Sequence, residues 1–208
     1  ARVKAPQSGI TADKVTQQVT LLAEGEKRDR LCDILRDQTT GQALIFVRTK
    51  RRADALAKFL SVRGFEVDAL HGDMRQTLRQ KVLRNFRSGD LQALIATDVA
   101  ARGIDVAGLS HVVNFDLTDT PEAYVHRIGR TGRAEEKGVA YSLVSDRDIA
   151  SLSRVEKYLD EKLEIGWLED TDIITELKDF PRDSRSRRLH GQMDKRRKQG
   201  ERKGPPKS

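Results

Sequence analysis

The sequence predicts an α/β protein, an open and mostly parallel sheet with helices on both faces, and three observations carry that prediction. Short apolar, β-branched runs alternate with amphipathic helical stretches over residues 20–165. Parallel neighbours cannot be joined by tight turns, so each crossover needs a segment of helix length, and the spacing supplies one. Polar clusters fall where strands should end, which is the edge at which open α/β sheets collect ligands.

Each element follows from local signals. Ala43-Leu-Ile-Phe-Val47 reads as a buried strand, and Arg51 to Val62 as a helix with Ala53, Leu56, Ala57 and Leu60 at helical spacing, broken by Gly64. Glu66 to Leu70 is the next strand. Gln76 to Arg87 is a helix with Leu78, Val82, Leu83 and Phe86 inward, closed by Ser88-Gly89-Asp90. Gln92 to Ala96 and His111 to Phe115 read as strands. Thr120-Pro121-Glu122 combines an N-cap with Pro at the first helical position and opens a helix to about Ile128. Val139 to Val144 is one more strand, and Ser145-x-x-Asp148 resembles a capping box opening a helix to about Leu163. No internal repeat is visible. The predicted organisation is an N-terminal extension at 1–15, a globular domain at 16–165, a C-terminal extension at 166–180 and a basic tail at 181–208. Trp167, Ile173, Ile174 and Leu177 suit either packing back on the domain or a partner surface.

Composition narrows the function classes. A hydrophobic fraction of 37% in 208 residues suits one domain with polar extensions. The longest apolar runs, such as Ala43 to Val47 and Leu94 to Ala96, fall far short of the roughly 20 residues that cross a bilayer. No signal peptide is expected, and a lone Cys32 excludes a disulfide framework, so a reducing cytoplasmic setting is the expectation. The net charge of +7 is concentrated: residues 181–208 hold 11 Lys+Arg against 3 acids, while residues 1–180 balance near neutrality. That tail has almost no apolar residues to bury, which predicts disorder and a polyanionic partner, RNA or DNA first. A solvated tail that only keeps the protein soluble is the plainer reading.

Three loops and the end of one helix carry chemistry. A Thr after a strand, as in Arg48-Thr49-Lys50, is more often a helix N-cap than a ligand contact. His71-Gly72-Asp73-Met74 reads either as a turn whose Gly supplies a positive φ or as a close backbone approach to a phosphate. Thr97-Asp98-Val99-Ala100-Ala101-Arg102-Gly103-Ile104-Asp105 packs a hydroxyl, carboxylates, an Arg and a Gly after an apolar strand. Asp98 as a cap and an Arg102–Asp105 pair explain part of it, and a ligand with hydroxyl and phosphate groups explains the rest. The densest cluster is His126-Arg127-Ile128-Gly129-Arg130-Thr131-Gly132-Arg133. Guanidinium forks match phosphate geometry, and a solvated basic face would tolerate Lys and need no glycines. No G-x-x-x-x-G-K-[ST] loop and no acidic quartet for Mg²⁺ occurs, so the chain holds the parts that finish phosphoryl transfer without those that start it.

These residues resemble the C-terminal RecA-like domain of DEAD-box ATP-dependent RNA helicases, over roughly Val15 to Leu163. IFVRTK (45–50), LHGDM with Gln76-x-x-Arg79 (70–79), LIATDVAARGIDV (94–106), VVNFD (112–116) and HRIGRTGR (126–133) occur in that family's order and spacing. The resemblance implies a two-lobed motor in which an N-terminal RecA-like lobe holds ATP and most of the Mg²⁺ coordination, and this lobe closes on it around single-stranded or structured RNA. It further implies Arg130 and Arg133 as arginine fingers, Asp105 and Arg102 at the nucleotide, and His126 and Arg127 at the interlobe contact. Thr49, Gly72, Arg79, Thr97 and Gly103 would hold the RNA backbone, with the basic tail on RNA or a ribonucleoprotein. Asp98 would shape its loop. No metal ligand is expected on this lobe and no membrane contact. Asp116-Leu117-Thr118 departs from the family, which usually has Pro at or near the last position, and so puts that loop's rigidity in question. An RNA-binding or partner-binding module without motor activity is the alternative reading; a nuclease or DNA translocase is the third.

Overall fold

The computed structural model describes residues 15–37, 41–102, 104, 109–132, 138–163 and 165–167. Its seven strands are β1 (Val15–Leu21), β2 (Gln42–Phe46), β3 (Val67–Leu70), β4 (Ala93–Ala96), β5 (Leu109–Asn114), β6 (Gly138–Val144) and β7 (Ile165–Trp167). They lie in the order β3-β4-β2-β5-β6-β1-β7, and every pairing is parallel. The helices are α1 (Lys27–Asp37), α2 (Lys50–Ser61), α3 (Gln76–Arg87), α4 (Asp98–Ala101), α5 (Pro121–Ile128) and α6 (Ile149–Leu159).

Alternation along the strands divides the core between two faces. Ile45, Ile95, Val113 and Leu143 face α1 and α2, meeting Leu31, Ile34, Leu35, Leu56 and Leu60. On the other side, Leu44, Phe46, Leu94 and Val112 pack with Val82 and Phe86 of α3 and with α4, while Val19, Ala140 and Val144 pack with Tyr124, Ile128, Leu152 and Val155 of α5 and α6. Leu56 and Leu60 are at most 1% exposed, and burial of each side chain is worth about 1.5–3 kcal/mol. The predicted α/β open sheet with helices on both faces is therefore the observed one, and α3 and α5 have the bounds read from sequence.

Five elements differ from that reading. Strand β1 (VTQQVTL) keeps Val15, Val19 and Leu21 inward, but its two glutamines interrupt the apolar run. Helix α1 carries a Lys at the head of its buried stripe, Lys27-Leu31-Ile34-Leu35, so its apolar pattern is disguised by charge. One helical turn, α4, follows Thr97 in place of an irregular loop. The last helix stops at Leu159 instead of Leu163, because Asp160 takes the left-handed conformation (φ 55°) that closes the helix on the Glu156 carbonyl. Asp tolerates that region better than most residues. Leu163 is still buried, in the connection to β7, and Ile165–Trp167 pairs with β1, so at Trp167 the backbone returns to the sheet. The basic tail and most of the predicted C-terminal extension lie outside the described residues.

Candidate functional site

The loops that follow β2, β3, β4 and β5 converge on one edge of the sheet, because all the strands point the same way and β3, β4, β2 and β5 are consecutive neighbours. Thr49 is the N-cap of α2, its Oγ1 accepting the Arg52 N–H at 3.2 Å, and it is exposed. The capping reading is thus correct for Thr49, and the exposed side chain stands at the sheet edge as well.

Gly72 is exposed, and a Cβ built on it meets nothing within 4 Å. Its φ is not positive, so the turn does not use the conformation expected of it, and neither packing nor backbone geometry requires glycine there. The loop is tied to α2 at both ends: His71 Nε2 lies 2.9 Å from Asp54, and Asp73 pairs with Lys50.

The segment after β4 is held from three directions. Arg79 of α3 donates Nη2 to the Ala100 carbonyl at 2.9 Å, and Arg130 donates Nη1 to the Ile104 carbonyl at 3.1 Å. Arg127 grips the Asp98 carboxylate with Nε at 2.6 Å and Nη2 at 2.7 Å. Thr97 opens α4 without a side-chain capping bond. Asp98 therefore shapes the loop through Arg127 and not as a helix cap. Arg102 is exposed at the end of α4; Gly103, Asp105 and the expected Arg102–Asp105 pair lie outside the described residues.

Helix α5 delivers its two basic residues in opposite directions. His126 is exposed, whereas Arg127 is 2% exposed, with Nη1 on Asn114 Oδ1 at 3.1 Å and on the Asp116 carbonyl at 2.7 Å, and its plane over the Phe46 ring. Arg127, expected at an interlobe contact, is thus engaged within this domain. Arg130 is half-buried; a guanidinium has five donors, and the remainder suit phosphate oxygens. Thr131 anchors the turn, its buried hydroxyl donating to the Leu109 carbonyl at 2.6 Å and reaching the Ser110 carbonyl at 3.0 Å. Gly132 has φ 69°, and a Cβ on Gly138 would sit 2.4 Å from the Gly132 nitrogen, so both are glycine for steric reasons. Arg133 lies outside the described residues.

Sequence reasoning missed a charged cluster under this edge. Lys27, fully buried, donates Nζ to the Phe115 carbonyl at 3.0 Å and to Asp148 at 2.6 Å, and lies 3.3 Å from Glu24. Arg52 pairs with Glu24, and its Nε lies 2.8 Å from Asp116 without hydrogen-bond geometry. Arg48 reaches the Leu117 carbonyl at 3.2 Å and Asp148 at 3.4 Å, and its backbone N–H donates to Asp116 at 2.9 Å. The one available signal was Lys27 at the head of an otherwise apolar helical stripe. Burial alone would raise the Glu24 carboxyl, but the Arg52 hydrogen bond and the Lys27 charge hold it down to about 2. In place of the usual proline, Arg48 holds Asp116 and the Leu117 carbonyl, Arg52 and Lys27 face the Asp116 carboxylate, and Thr118 Oγ1 accepts the Thr120 N–H at 3.3 Å. Asp148 accepts the Ser145 N–H and hydroxyl at 3.2 and 2.9 Å, as the capping-box pattern implies. Among the described residues no His/Cys/Asp/Glu group is placed to hold a metal, and no helix is long and apolar enough to cross a membrane.

Residues 26–135 match the helicase conserved C-terminal domain family. The chain belongs to that family, as the C-terminal RecA-like domain of a DEAD-box helicase. This DEAD-box domain is 44% identical over 162 residues to the DEAD-box ATP-dependent RNA helicase CshA of Geobacillus kaustophilus, covering 78% of this chain and 35% of the relative. It is 41% identical to CshA of Bacillus subtilis, with 78% and 33% covered. The chain therefore spans about a third of the curated relatives it matches. Among solved structures, the E. coli DEAD-box protein SrmB bound to regulator of ribonuclease activity A superposes with a TM-score of 0.72 at 34% identity, covering 80% of this chain and 99% of that one. S. cerevisiae Dbp5 bound to RNA and ADP BeF3 gives a TM-score of 0.72 at 35% identity, covering 86% and 46%.

Proposed function

We propose that this DEAD-box domain is the second lobe of an ATP-dependent RNA helicase, supplying RNA-backbone contacts and arginine fingers to ATP hydrolysis coupled to local duplex unwinding or ribonucleoprotein remodelling. The observation that carries the reading is the grip of Arg79, Arg127 and Arg130 on one segment, residues 98–104. In this reading Arg79 meets RNA and Arg130 meets nucleotide, so the segment that both hold would respond to both.

In this reading Thr49, Gly72, Arg79, Thr97 and Gly103 hold sugar and phosphate groups, which makes binding tolerant of base sequence. The open space at Gly72 supports a close backbone approach. Arg130 exchanges the Ile104 carbonyl for a γ-phosphate oxygen and, with Arg133, neutralises charge that develops as the phosphoryl group leaves. Asp105 and Arg102 orient the nucleotide, and His126, exposed at the end of α5, meets the N-terminal lobe together with the face that Arg127 stiffens from below. ATP would be the substrate, and Mg²⁺, which the N-terminal lobe would mainly hold, would supply charge neutralisation at its phosphates. The basic tail adds RNA or ribonucleoprotein contacts. A cytoplasmic setting suits the single buried Cys32.

ATP turnover tests the reading. The domain alone should hydrolyse no ATP, and the same domain joined to its N-terminal lobe should turn over faster with single-stranded RNA. Turnover by the isolated domain would contradict it, and equal RNA affinity with and without nucleotide in the two-lobed protein would favour a binding module.

A further inference from the structure

The charged cluster under the site edge has a geometry that goes beyond holding the fold. Among its described members, Asp116 alone bonds both the backbone at Arg48 and the guanidinium of Arg127. Its carboxylate accepts the Arg48 N–H at 2.9 Å, which fixes the residue before Thr49. Its carbonyl accepts Arg127 Nη1 at 2.7 Å, while the other edge of the same guanidinium holds Asp98, beside Thr97. Its own N–H donates to the Phe46 carbonyl at 3.2 Å, so backbone movement at residue 116 displaces the end of β2. Arg52 Nε at 2.8 Å and Lys27 Nζ at 3.9 Å offset its negative charge, and the residue is 5% exposed.

We propose that Asp116 is a positioning residue that keeps the Thr49 loop and the Arg127–Asp98 pair in one register, so that RNA engagement and nucleotide chemistry stay coupled. The proposal rests on the function proposed above. Buried charge clusters often serve stability alone, and removing one partner costs stability whatever its further role. Glu24 separates the two possibilities. It belongs to the same cluster and pairs with Lys27 and Arg52, yet no described bond joins it to Arg48 or Arg127.

The experiment compares Asp116→Ala, Asp116→Asn and Glu24→Gln in the full-length two-lobed protein. It reads the ratio of ATP turnover with and without saturating single-stranded RNA, the KM for RNA, and Tm. Asp116→Ala should cut the RNA stimulation roughly tenfold, raising KM for RNA and lowering kcat together. Asp116→Asn keeps an acceptor for the Arg48 N–H and should recover part of that loss; it also reports the effect if the alanine variant fails to fold. Glu24→Gln should lower Tm while leaving the stimulation ratio within about twofold, as expected of a residue outside the coupled contacts. Wild-type stimulation in both Asp116 variants would overturn the proposal, and so would a loss in Glu24→Gln that tracks its fall in Tm. Absence of RNA stimulation in the unsubstituted protein would instead remove the proposed function itself.

Discussion

Arg127 closes on the Asp98 carboxylate in a two-pronged pair, Nε to Oδ1 at 2.6 Å and Nη2 to Oδ2 at 2.7 Å, while its remaining edge holds Asn114 and the Asp116 carbonyl. The arginine that the family resemblance places at an interlobe contact is thus the one that ties its motif to the neighbouring loop. Its neighbour His126 is exposed, and Arg130 is half-buried with Nη1 on the Ile104 carbonyl at 3.1 Å.

Arg127→Ala should destabilise the domain by about 3–5 kcal/mol, since it strips the partner from Asp98 and leaves buried acceptors unpaired. Arg127→Lys should recover little, because an ammonium cannot reproduce the fork. Urea unfolding of the isolated domain measures both, and a loss below about 1 kcal/mol in either variant contradicts the fork as the structural tie.

Glycine substitutions should split by mechanism. Gly138→Ala forces a methyl to 2.4 Å from the Gly132 nitrogen and should destabilise strongly, by about 2 kcal/mol or more. Gly72→Ala has open space and no positive φ, so stability should stay within about 0.5 kcal/mol. RNA affinity of the two-lobed protein should nonetheless fall with Gly72→Ala. Unchanged affinity would remove Gly72 from the RNA contacts.

How much of this was readable in the sequence depends on whether a residue's role is local. The bounds of α3 and α5 follow from apolar spacing and from Pro121, both local signals, and they match the structure. Lys27 was not readable, because its partners Phe115 and Asp148 lie 88 and 121 residues away and only the folded sheet brings them together. The same holds for Asp98, whose nearest sequence neighbours suggested a cap, while its partner stands 29 residues on. Strand β1 was missed for a different reason. An edge-proximal strand with Gln17 and Gln18 exposed or half-exposed needs only part of one face apolar, and Gln17 is used to accept the Tyr124 hydroxyl at 2.8 Å.

The Glu24 carboxyl makes acid stability a readout of the cluster. Its folded pKa of about 2 lies below the ordinary 4.5, so its contribution is complete above about pH 4.5 and is lost as pH falls towards 2. Glu24→Gln should lower Tm at neutral pH and flatten the slope of Tm against pH across that window. A slope equal to that of the unsubstituted domain would mean the Arg52 and Lys27 pairings are not formed in solution.

Deleting residues 181–208 removes 11 Lys+Arg and 3 acids, and should weaken RNA binding and reduce the slope of log affinity against log salt. RNA-stimulated ATP turnover at saturating RNA should persist. An unchanged salt slope would exclude the tail from RNA binding.

The most direct measurement is ATP turnover of the full-length two-lobed protein, with and without single-stranded RNA, for the unsubstituted chain, Arg130→Ala and Arg133→Ala. The account predicts RNA-stimulated turnover that falls by roughly 10³-fold or more in kcat in each variant, with the fold and RNA binding retained. Turnover that ignores RNA, or arginine variants that hydrolyse ATP like the unsubstituted protein, would contradict it.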